Sequence, residues 1–372
     1  MSKLTQTAAR KELDLLVRTG LGIEPLAPAL ARLLRNLIGA EGCFIGWFDA
    51  LGVPAGFFHN SAPASAEDLF LNNPSLFVGP NELNIFWLTR NQGPNVGNMM
   101  NPGKAFFRSN TFNLLFKACH HHHGLDLRVE FNGVIRIAFG LFRTEAQPFS
   151  EEDALRLQSL IPALQMAVVK TSDAAQPGSI YRGTGDMAEA GHLLVSADGA
   201  RINMISEHAA RLLRIAKLFG QGVYLVGPMA APPVFIQQLC LQLKAGLAPT
   251  AQSQLDVVGG TLVITASWIK STAGAAAPLA MDGQAALKHE NILVTVAYRQ
   301  PVAIDIVRRI GQLRLSPLQS RIALFAATGG SRIECAAHHQ VSKEALKKHL
   351  REIYAASRCA DWQELGRALS VR

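Results

Sequence analysis

The first 172 residues alternate between helical and strand-like spacing of their apolar positions. Ala27–Ile38 carries leucines at helical intervals, and Cys43–Phe48 is an apolar run of strand length. Phe131–Arg143 is typical of two strands joined by an Asn-Gly turn. Ser150 then precedes acidic residues and a leucine-rich helical pattern. The order of helix, sheet and closing helix predicts one α+β domain over residues 1–172.

A second α+β pattern follows a segment rich in Gly, Ser, Ala and Pro. That segment, residues 173–186, has the composition of a linker. Beyond it, residues 187–300 begin with a hairpin that has Asp-Gly in its turn, and Ser271–Leu287 is predicted to be a mobile loop. The elements predicted here are the hairpin His192–Asn203, the helix Ser206–Ile215 and strands at Gln254–Val258, Thr261–Ile269 and Ile292–Tyr298.

Residues 301–372 carry the most regular helical signals of the chain. Within 301–314, the stretch Val302–Leu313 is amphipathic, which predicts a connecting helix that can also pair in a dimer. Ser316 and Ser331 each precede Gln or Glu by three residues, the pattern of a capping box. The helices predicted in residues 315–372 are Leu315–Ala327, Ser331–Gln340, Ser342–Ser357 and a fourth that begins at Asp361.

The third of these helices has two distinct faces. Leu346, Leu350 and Ile353 form one apolar stripe, while the cations project largely from other faces. Only a short turn separates this helix from the preceding one, so the pair predicts a helix-turn-helix. Such a unit places its second helix in the DNA major groove. The cations of this helix are Lys343, Lys347, Lys348 and Arg351.

The same residues resemble the C-terminal helix-turn-helix domain of LuxR-type regulators. The resemblance runs in order and spacing through Leu315-Ser316-Pro317, Gly329-Gly330-Ser331, Glu334-Cys335-Ala336, Val341-Ser342, Leu346-Lys347-Lys348-His349 and Ile353-Tyr354. It implies binding to double-stranded DNA through Ser331, Ser342, Lys343, Lys347, Lys348, His349 and Arg351. The departures are Gln319 and Arg321 in place of acidic residues, His339 in place of a leucine and Ala345 in place of a threonine.

The two preceding regions also resemble known sensory domains. The first resembles a GAF domain through its helix–sheet–helix order and the turn Pro148-Phe149-Ser150-Glu151. The second resembles a PAS domain through its hairpin, short helices and three further strands. The fold class expected is therefore multidomain: an α+β GAF-like domain, an α+β PAS-like domain and an all-α, four-helix C-terminal domain.

Positive charge is concentrated at the C-terminal end. Residues 301–372 hold twelve Lys and Arg against six Asp and Glu, so they supply +6 of the formal net charge of +8. A cationic surface on the helix-turn-helix is what phosphate binding requires.

Composition favours a reduced, cytoplasmic protein. The five cysteines are scattered and include no C-x-x-C pair, and residues 1–6 lack the apolar core of a signal peptide. No uncharged apolar run reaches the length of a membrane span, so no membrane partner is expected. G-x-S-x-G, H-E-x-x-H and the phosphate-loop motif are missing from the sequence, which argues against an enzyme.

The run Cys119-His120-His121-His122-His123 is the main candidate for metal or haem chemistry. On a helix, Cys119 and His123 would share a face at i, i+4 and could hold a metal or a haem iron. The plainer interpretation is the polar end of a helix before Gly124. A third possibility is that histidines of this run contact a ligand in the first domain. No resident cofactor is expected under the plainer interpretation.

The aromatic residues clustered between Phe44 and Phe116 suggest an apolar pocket in the first domain. The segment Pro74–Lys104 is either a lid over that pocket or a long loop. Simple core packing explains any single aromatic residue equally well. The candidate ligand-binding residues are Trp47, Phe58, Trp87, Phe112, His121 and His123.

These observations predict a DNA-binding transcriptional regulator that works as a homodimer. A small-molecule or protein effector sensed by the N-terminal domains would control it, and RNA polymerase is a candidate partner. Two alternatives remain open: a haem- or metal-dependent redox or gas sensor using Cys119 and His120–His123, and an interaction scaffold whose helix-turn-helix is degenerate.

Overall fold

The computed structural model describes residues 3–144, 147–168, 184–215, 225–227, 230–246, 248–257, 260–269 and 291–370. Most of the predicted 173–186 linker and all of the predicted loop Ser271–Leu287 lie outside these ranges. The chain forms two compact units. The first comprises Met1–Ser61, Phe77–Asp186 and Gln300–Arg372, and the second comprises Ala62–Leu76 and Met187–Arg299.

Helices and antiparallel strands alternate along the chain. The helices are α1 Lys3–Val17, α2 Ile23–Ile38, α3 Ala64–Asn72, α4 Ile85–Arg90, α5 Glu151–Gln158, α6 Ile161–Val168, α7 Glu207–Ile215, α8 Val234–Ala245, α9 Val302–Gln312, α10 Pro317–Ala327, α11 Arg332–His338, α12 Lys343–Ser357 and α13 Trp362–Ser370. The strands are β1 Gly42–Phe48, β2 Pro54–His59, β3 His123–Phe131, β4 Val134–Arg143, β5 Thr184–Ser196, β6 Ile202–Ile205, β7 Thr250–Val257, β8 Gly260–Ile269 and β9 Asn291–Pro301. None of the helices in the described ranges has the length and apolarity to cross a bilayer.

The first unit is built on a four-stranded antiparallel sheet in the order β2-β1-β4-β3. The predicted turn between β3 and β4 is present, with Asn132 and Gly133 both at positive φ. Ile45, Leu127 and Phe139 point to one face, where they are buried in a core shared with α1, α2, α5 and α6. Because side chains alternate along a strand, the intervening residues form the opposite face.

The closing helix of the α+β pattern is broken. The sequence predicts one helix from Ser150 to Val168, but α5 ends at Gln158 and α6 begins at Ile161. Pro162 explains the break, because it lacks an N–H and its ring clashes with the carbonyl of the residue four positions earlier. The start of α5 is as predicted: Ser150 and Asp153 form a complete capping box.

Two charged side chains of β3 hold the segment that follows α4 against the sheet. Buried Arg128 donates to the carbonyls of Leu88, Asn91 and Pro94 at 2.7–3.0 Å, and also to Gly93. Buried Asp126 accepts from the backbone N–H of Met99 and from the side-chain amide of Asn98. This part of Pro74–Lys104, predicted to be either a lid or a long loop, is therefore held in place by hydrogen bonds to two buried side chains.

The four C-terminal helices belong to the first unit. Residues of α9, α10, α12 and α13 share one continuous apolar core with α1, α2 and the inner face of the sheet. Lys11 on α1 donates to the carbonyl of Leu315 at 2.6 Å, at the junction of α9 and α10. The sequence treats these helices as a separate domain, whereas α1, which it did not predict, packs against both α9 and α10. The boundary at residue 315 stays a prediction.

The apolar stripe of α9 is covered within the chain. Ile304, Val307 and Ile310 are each no more than 4% exposed, and α9 packs on α1, α10 and α13. The suggestion that this stripe pairs two copies is therefore not supported by its position, since its atoms already lie in the core of the first unit.

The second unit contains a five-stranded sheet in the order β6-β5-β9-β8-β7. The predicted Asp-Gly turn is present, with Gly199 at φ 82. Helix α3 also belongs to this unit: its Glu67 and Asp68 bind the buried Arg214 of α7 at 2.5 and 2.6 Å. The chain is thus a mixed α+β protein with two antiparallel sheets. Assignment of the units to the GAF and PAS classes stays a prediction.

Candidate nucleic-acid interface and a buried histidine–cysteine cluster

The C-terminal helices begin where their capping signals predict. Ser316 with Gln319 and Ser331 with Glu334 form complete capping boxes, each side chain bonding the partner's backbone N–H. Ser342 caps α12 by accepting from Ala345 N–H, and Asp361 accepts from Glu364 N–H at the start of α13. These local hydrogen bonds fix the starts of all four helices.

A tight turn joins α11 to α12. Gln340 occupies the left-handed region at φ 52, and the N–H of Val341 bonds the carbonyl of Ala336. Trp362 donates its indole N–H to the carbonyl of Gly330 at 2.8 Å, which ties the start of α13 to the turn before α11. The turn between α11 and α12 is therefore closed by a backbone hydrogen bond, and the segment before α11 is held by the indole of Trp362.

Helix α12 has the two faces expected of it. Leu346, Leu350 and Ile353 are 4%, 5% and 0% exposed and lie in the core with α10 and α11. The cations are exposed, and within the described ranges they form no ion pair with an acidic group. They are Lys343, Lys347, Lys348 and Arg351. The outward face of α12 therefore carries cations that are not paired with any acidic group among the residues that the structure describes.

The remaining residues implied by the LuxR resemblance lie at the edges of this surface. Ser331 and Ser342 are exposed, but both hydroxyls act as helix caps. His349 is half-buried, and its Nδ1 has no hydrogen-bond partner within the described ranges. Glu352 turns toward α10, where the Gln319 amide donates to its carboxylate.

The departures from the LuxR pattern are accommodated inside the helical core. His339 is half-buried with its ring edge-on to Phe325, at 5.9 Å between centroids. Burial, together with the neighbouring His338 and Arg321, lowers the pKa of His339 to about 4. The imidazole is thus neutral at neutral pH, the form that an apolar core tolerates. Ala345 is half-buried on α12.

A second candidate site lies on the outer face of the first sheet. The ligand atoms of His59, Cys119 and His121 all lie within 4.8 Å of one another. His59 ends β2, while Cys119 and His121 come from the turn that leads into β3. His59 and His121 are 8% and 4% exposed, and Cys119 is half-buried.

The backbone of the histidine run places these side chains. A π-helix over Thr111–Phe116 ends in a turn in which His120 takes φ 56. His121 N–H then bonds the carbonyl of Phe116, and His122 N–H bonds that of Arg143. The run is therefore a turn that enters β3, and its polar end before Gly124 belongs to that turn rather than to an α-helix.

Aromatic rings surround the cluster. The His121 ring stacks on Phe142 at 4.2 Å between centroids, and on His59 at 5.4 Å. Phe116 packs edge-on to both His121 and Phe142. Gly42 leaves room for the imidazole: a Cβ there would lie 2.6 Å from Nε2 of His121. Any larger residue at position 42 would therefore displace His121.

Burial keeps both imidazoles neutral. It lowers the pKa of His59 to about 3, helped by His121, and that of His121 to about 3, helped by His120. Neutral imidazole is the form that binds metals. Nδ1 of His59 accepts from Ser61 N–H at 3.1 Å, so an ion on this residue has to displace or rearrange that bond. Such a bond is worth about 1 kcal/mol, against roughly 10 kcal/mol for a structural metal site.

The structure selects different partners from those that spacing suggested. Cys119 and His123 do not share a helical face, because His123 begins β3 and pairs with Arg143. His59 takes its place beside Cys119. Local spacing gave no signal for this pairing; only the alternation of β2, which puts His59 on the same face as Phe57, points toward it.

The candidate ligand-binding aromatics lie on two sides of the sheet. Phe58 is buried in the core under the helices, and Trp47 packs against that same core. Trp87 and Phe112 pack in a separate cluster on the opposite face, with Phe106, Phe116 and Phe142. The strand alternation therefore separates these aromatic residues between the two faces of the sheet, and their role in binding a ligand stays a prediction.

Comparison with known proteins gives little that bears on this chain. No family model matches it, and no curated protein matches it significantly. Among solved structures, one match is titled a sensor region of a sensor histidine kinase. It is 14% identical, covers 71% of this chain and 85% of that one, and superposes with a TM-score of 0.19. A TM-score this low does not establish a shared fold.

Proposed function

We propose that this chain is a DNA-binding regulatory protein without enzymatic activity, controlled by a signal that its α+β units receive. The observation that carries the proposal is the outward face of α12. Four cations are exposed on one capped helix whose opposite face is locked into the core. Phosphate contacts by Lys and Arg supply most of the non-specific affinity for duplex DNA.

The arrangement of α11 and α12 supports major-groove binding rather than a general cationic surface. A recognition helix needs a neighbour that fixes its angle and an N-terminus that is free to approach the duplex. Here the short turn at Gln340 and the buried stripe of α12 supply the fixed angle. The exposed N-terminal turn, with Lys343 and Glu344, leaves the approach open.

Contacts within the first unit offer a route from signal to DNA. Helix α1 packs on α2 and α6, which cover the sheet, and also on α9 and α10. A change in the position of α1 would therefore be transmitted through Lys11 and Leu315 to the start of α10, which packs on α11 and α12. A homodimer, an effector molecule and contact with RNA polymerase remain part of the proposal.

The test is a salt titration of binding to a mixed-sequence 30-base-pair duplex, followed by fluorescence anisotropy. We expect the double variant K347A/K348A to bind more weakly, with the slope of log affinity against log salt reduced by about 0.9 for each lost phosphate contact. Lys104→Ala and Lys244→Ala, at exposed lysines that are not part of α12, are matched controls and should leave the slope unchanged.

Equal slopes for the double variant and the unsubstituted protein would overturn the assignment of this face. The free energies of unfolding of the two proteins should agree within about 0.5 kcal/mol, since exposed substitutions seldom cost more. If the unsubstituted protein binds no duplex at low salt, the scaffold alternative replaces the proposal.

A further inference from the structure

We propose that His59, Cys119 and His121 form a binding site for a single copper(I) ion. The inference concerns the first unit alone and is independent of DNA binding by α12. Two imidazole nitrogens and one thiol sulfur converge within 4.8 Å from two separate segments of the chain. Packing alone does not require three ligating side chains on this sheet face, since aromatic residues could fill the same space.

The donor atoms narrow the choice of metal. A thiolate with two imidazoles is a soft to borderline set, which suits copper and zinc. Magnesium, calcium and manganese prefer oxygen ligands, and the cluster contains no carboxylate. Iron in a haem would need one of these residues as an axial ligand facing a broad flat ring.

The number of donors favours copper(I) over zinc. Closed protein sites for zinc take four protein ligands in a tetrahedron, and a zinc site with three protein ligands needs a bound water molecule as its fourth. The group formed by the described residues has three members, and three-coordinate geometry is common for copper(I). Phe142 stacks on His121 at 4.2 Å and Phe116 packs edge-on to it, so aromatic rings occupy positions beside the site. An apolar shell of this kind favours the lower charge of copper(I).

The cluster is close to a ligating geometry. Metal–nitrogen and metal–sulfur bonds of about 2.0–2.3 Å place ligand atoms roughly 3.5 Å apart, so the side chains need to approach by about 1 Å. Cys119 lies on a turn and is half-buried, which gives the ion a path from solvent and lets the sulfur move. On binding, the thiol loses its proton to solvent, and the thiolate neutralises the charge of the ion.

The experiment is an anaerobic titration of the full-length protein with copper(I), in competition with a chromogenic copper(I) chelator. We expect one ion per chain and an X-ray absorption spectrum that fits one sulfur and two nitrogen neighbours. Cys119→Ser should lower the affinity about 100-fold or more, since it removes a direct ligand. His122→Ala, an exposed histidine next to His121, is the matched control and should leave the affinity unchanged.

His121→Phe provides a second variant in case the serine substitution disturbs the turn. A phenyl ring can keep the stack on Phe142 while it removes a nitrogen ligand, so binding should be lost with the fold retained. K347A/K348A should bind copper(I) as the unsubstituted protein does. A protein that binds copper but not DNA would overturn only the proposed function.

Three outcomes would overturn the copper site. The first is that neither of the two single variants, Cys119→Ser and His121→Phe, changes the affinity for copper(I). The second is tighter binding of one zinc ion than of copper(I) in the same competition. The third is a Soret band after addition of hemin that disappears in His121→Phe, which would assign the cluster to haem.

Discussion

The cationic face of α12 and the cluster of His59, Cys119 and His121 differ in one respect. The residues that position the α12 cations are close together in sequence, whereas those that position the cluster come from distant segments of the chain. On α12, the capping serine, the buried stripe and the exposed lysines all belong to one stretch of sequence. The cluster needs the end of β2, the turn after a π-helix and the ring of Phe142 on β4 to meet. A site built locally can be recognised from spacing, whereas a site built by distant contacts depends on the whole sheet.

The largest expected effect is a loss of stability on substitution in α12. It tests whether α12 folds independently of the first sheet, as the local signals in its sequence suggest. Ile353 is fully buried in a core that extends to α1 and the first sheet. Ile353→Ala should lower the free energy of unfolding by about 3 kcal/mol, because it leaves a cavity in a shared core. Chemical denaturation measures this, with far-UV circular dichroism reporting all helices.

The same experiment distinguishes a shared core from an autonomous domain. If α12 belongs to one cooperative unit with the sheet, the fluorescence of Trp47 and the circular dichroism signal should shift together in a variant whose other three tryptophans are replaced by phenylalanine. A transition confined to the circular dichroism signal would restore the separate C-terminal domain expected from sequence.

A smaller loss is expected at the cluster. His121 is 4% exposed and stacks on Phe142, so His121→Ala removes a buried ring. We expect a loss of about 2 kcal/mol in metal-free protein, below the 3–5 kcal/mol typical of buried Phe, since the ring is smaller. His122→Ala, an exposed neighbour on the other side of His121, is the control. An unchanged midpoint for His121→Ala would mean that the cluster contributes nothing to packing.

The smallest expected effect is on the pH dependence of stability and concerns His339, the half-buried histidine of the C-terminal helices. The pKa of His339 is lowered to about 4 in the folded state from the usual 6.5, mainly by burial. Between these values the unfolded chain binds more protons, so this residue makes stability rise as pH increases from about 4 to 6.5. The groups that face it are His338, Arg321 and Arg18.

His339→Leu should flatten that part of the stability–pH profile, as measured by denaturation at several pH values. His122→Gln, at an exposed histidine of the first unit that is not among the groups facing His339, keeps the slope and serves as the control. A profile that His339→Leu leaves unaltered would show that another group titrates in this range.

The sequence by itself determined the local elements. Helix starts followed from Ser150, Ser316 and Ser331, because a hydroxyl three residues before Asp, Gln or Glu satisfies free backbone N–H groups wherever it occurs. The Asn132-Gly133 turn and the stripe of α12 followed from equally local rules.

Only the tertiary structure decided which of these elements share a core and which side chains meet. Helix α1 was not predicted from the sequence, yet it joins the sheet-covering helices α2 and α6 to α9 and α10. His59 comes to lie beside Cys119 because β1 pairs with both β2 and β4, which brings residues distant in the chain onto one face. Strand pairing and helix packing depend on the summed burial of many side chains, and the spacing of any one segment does not contain that information.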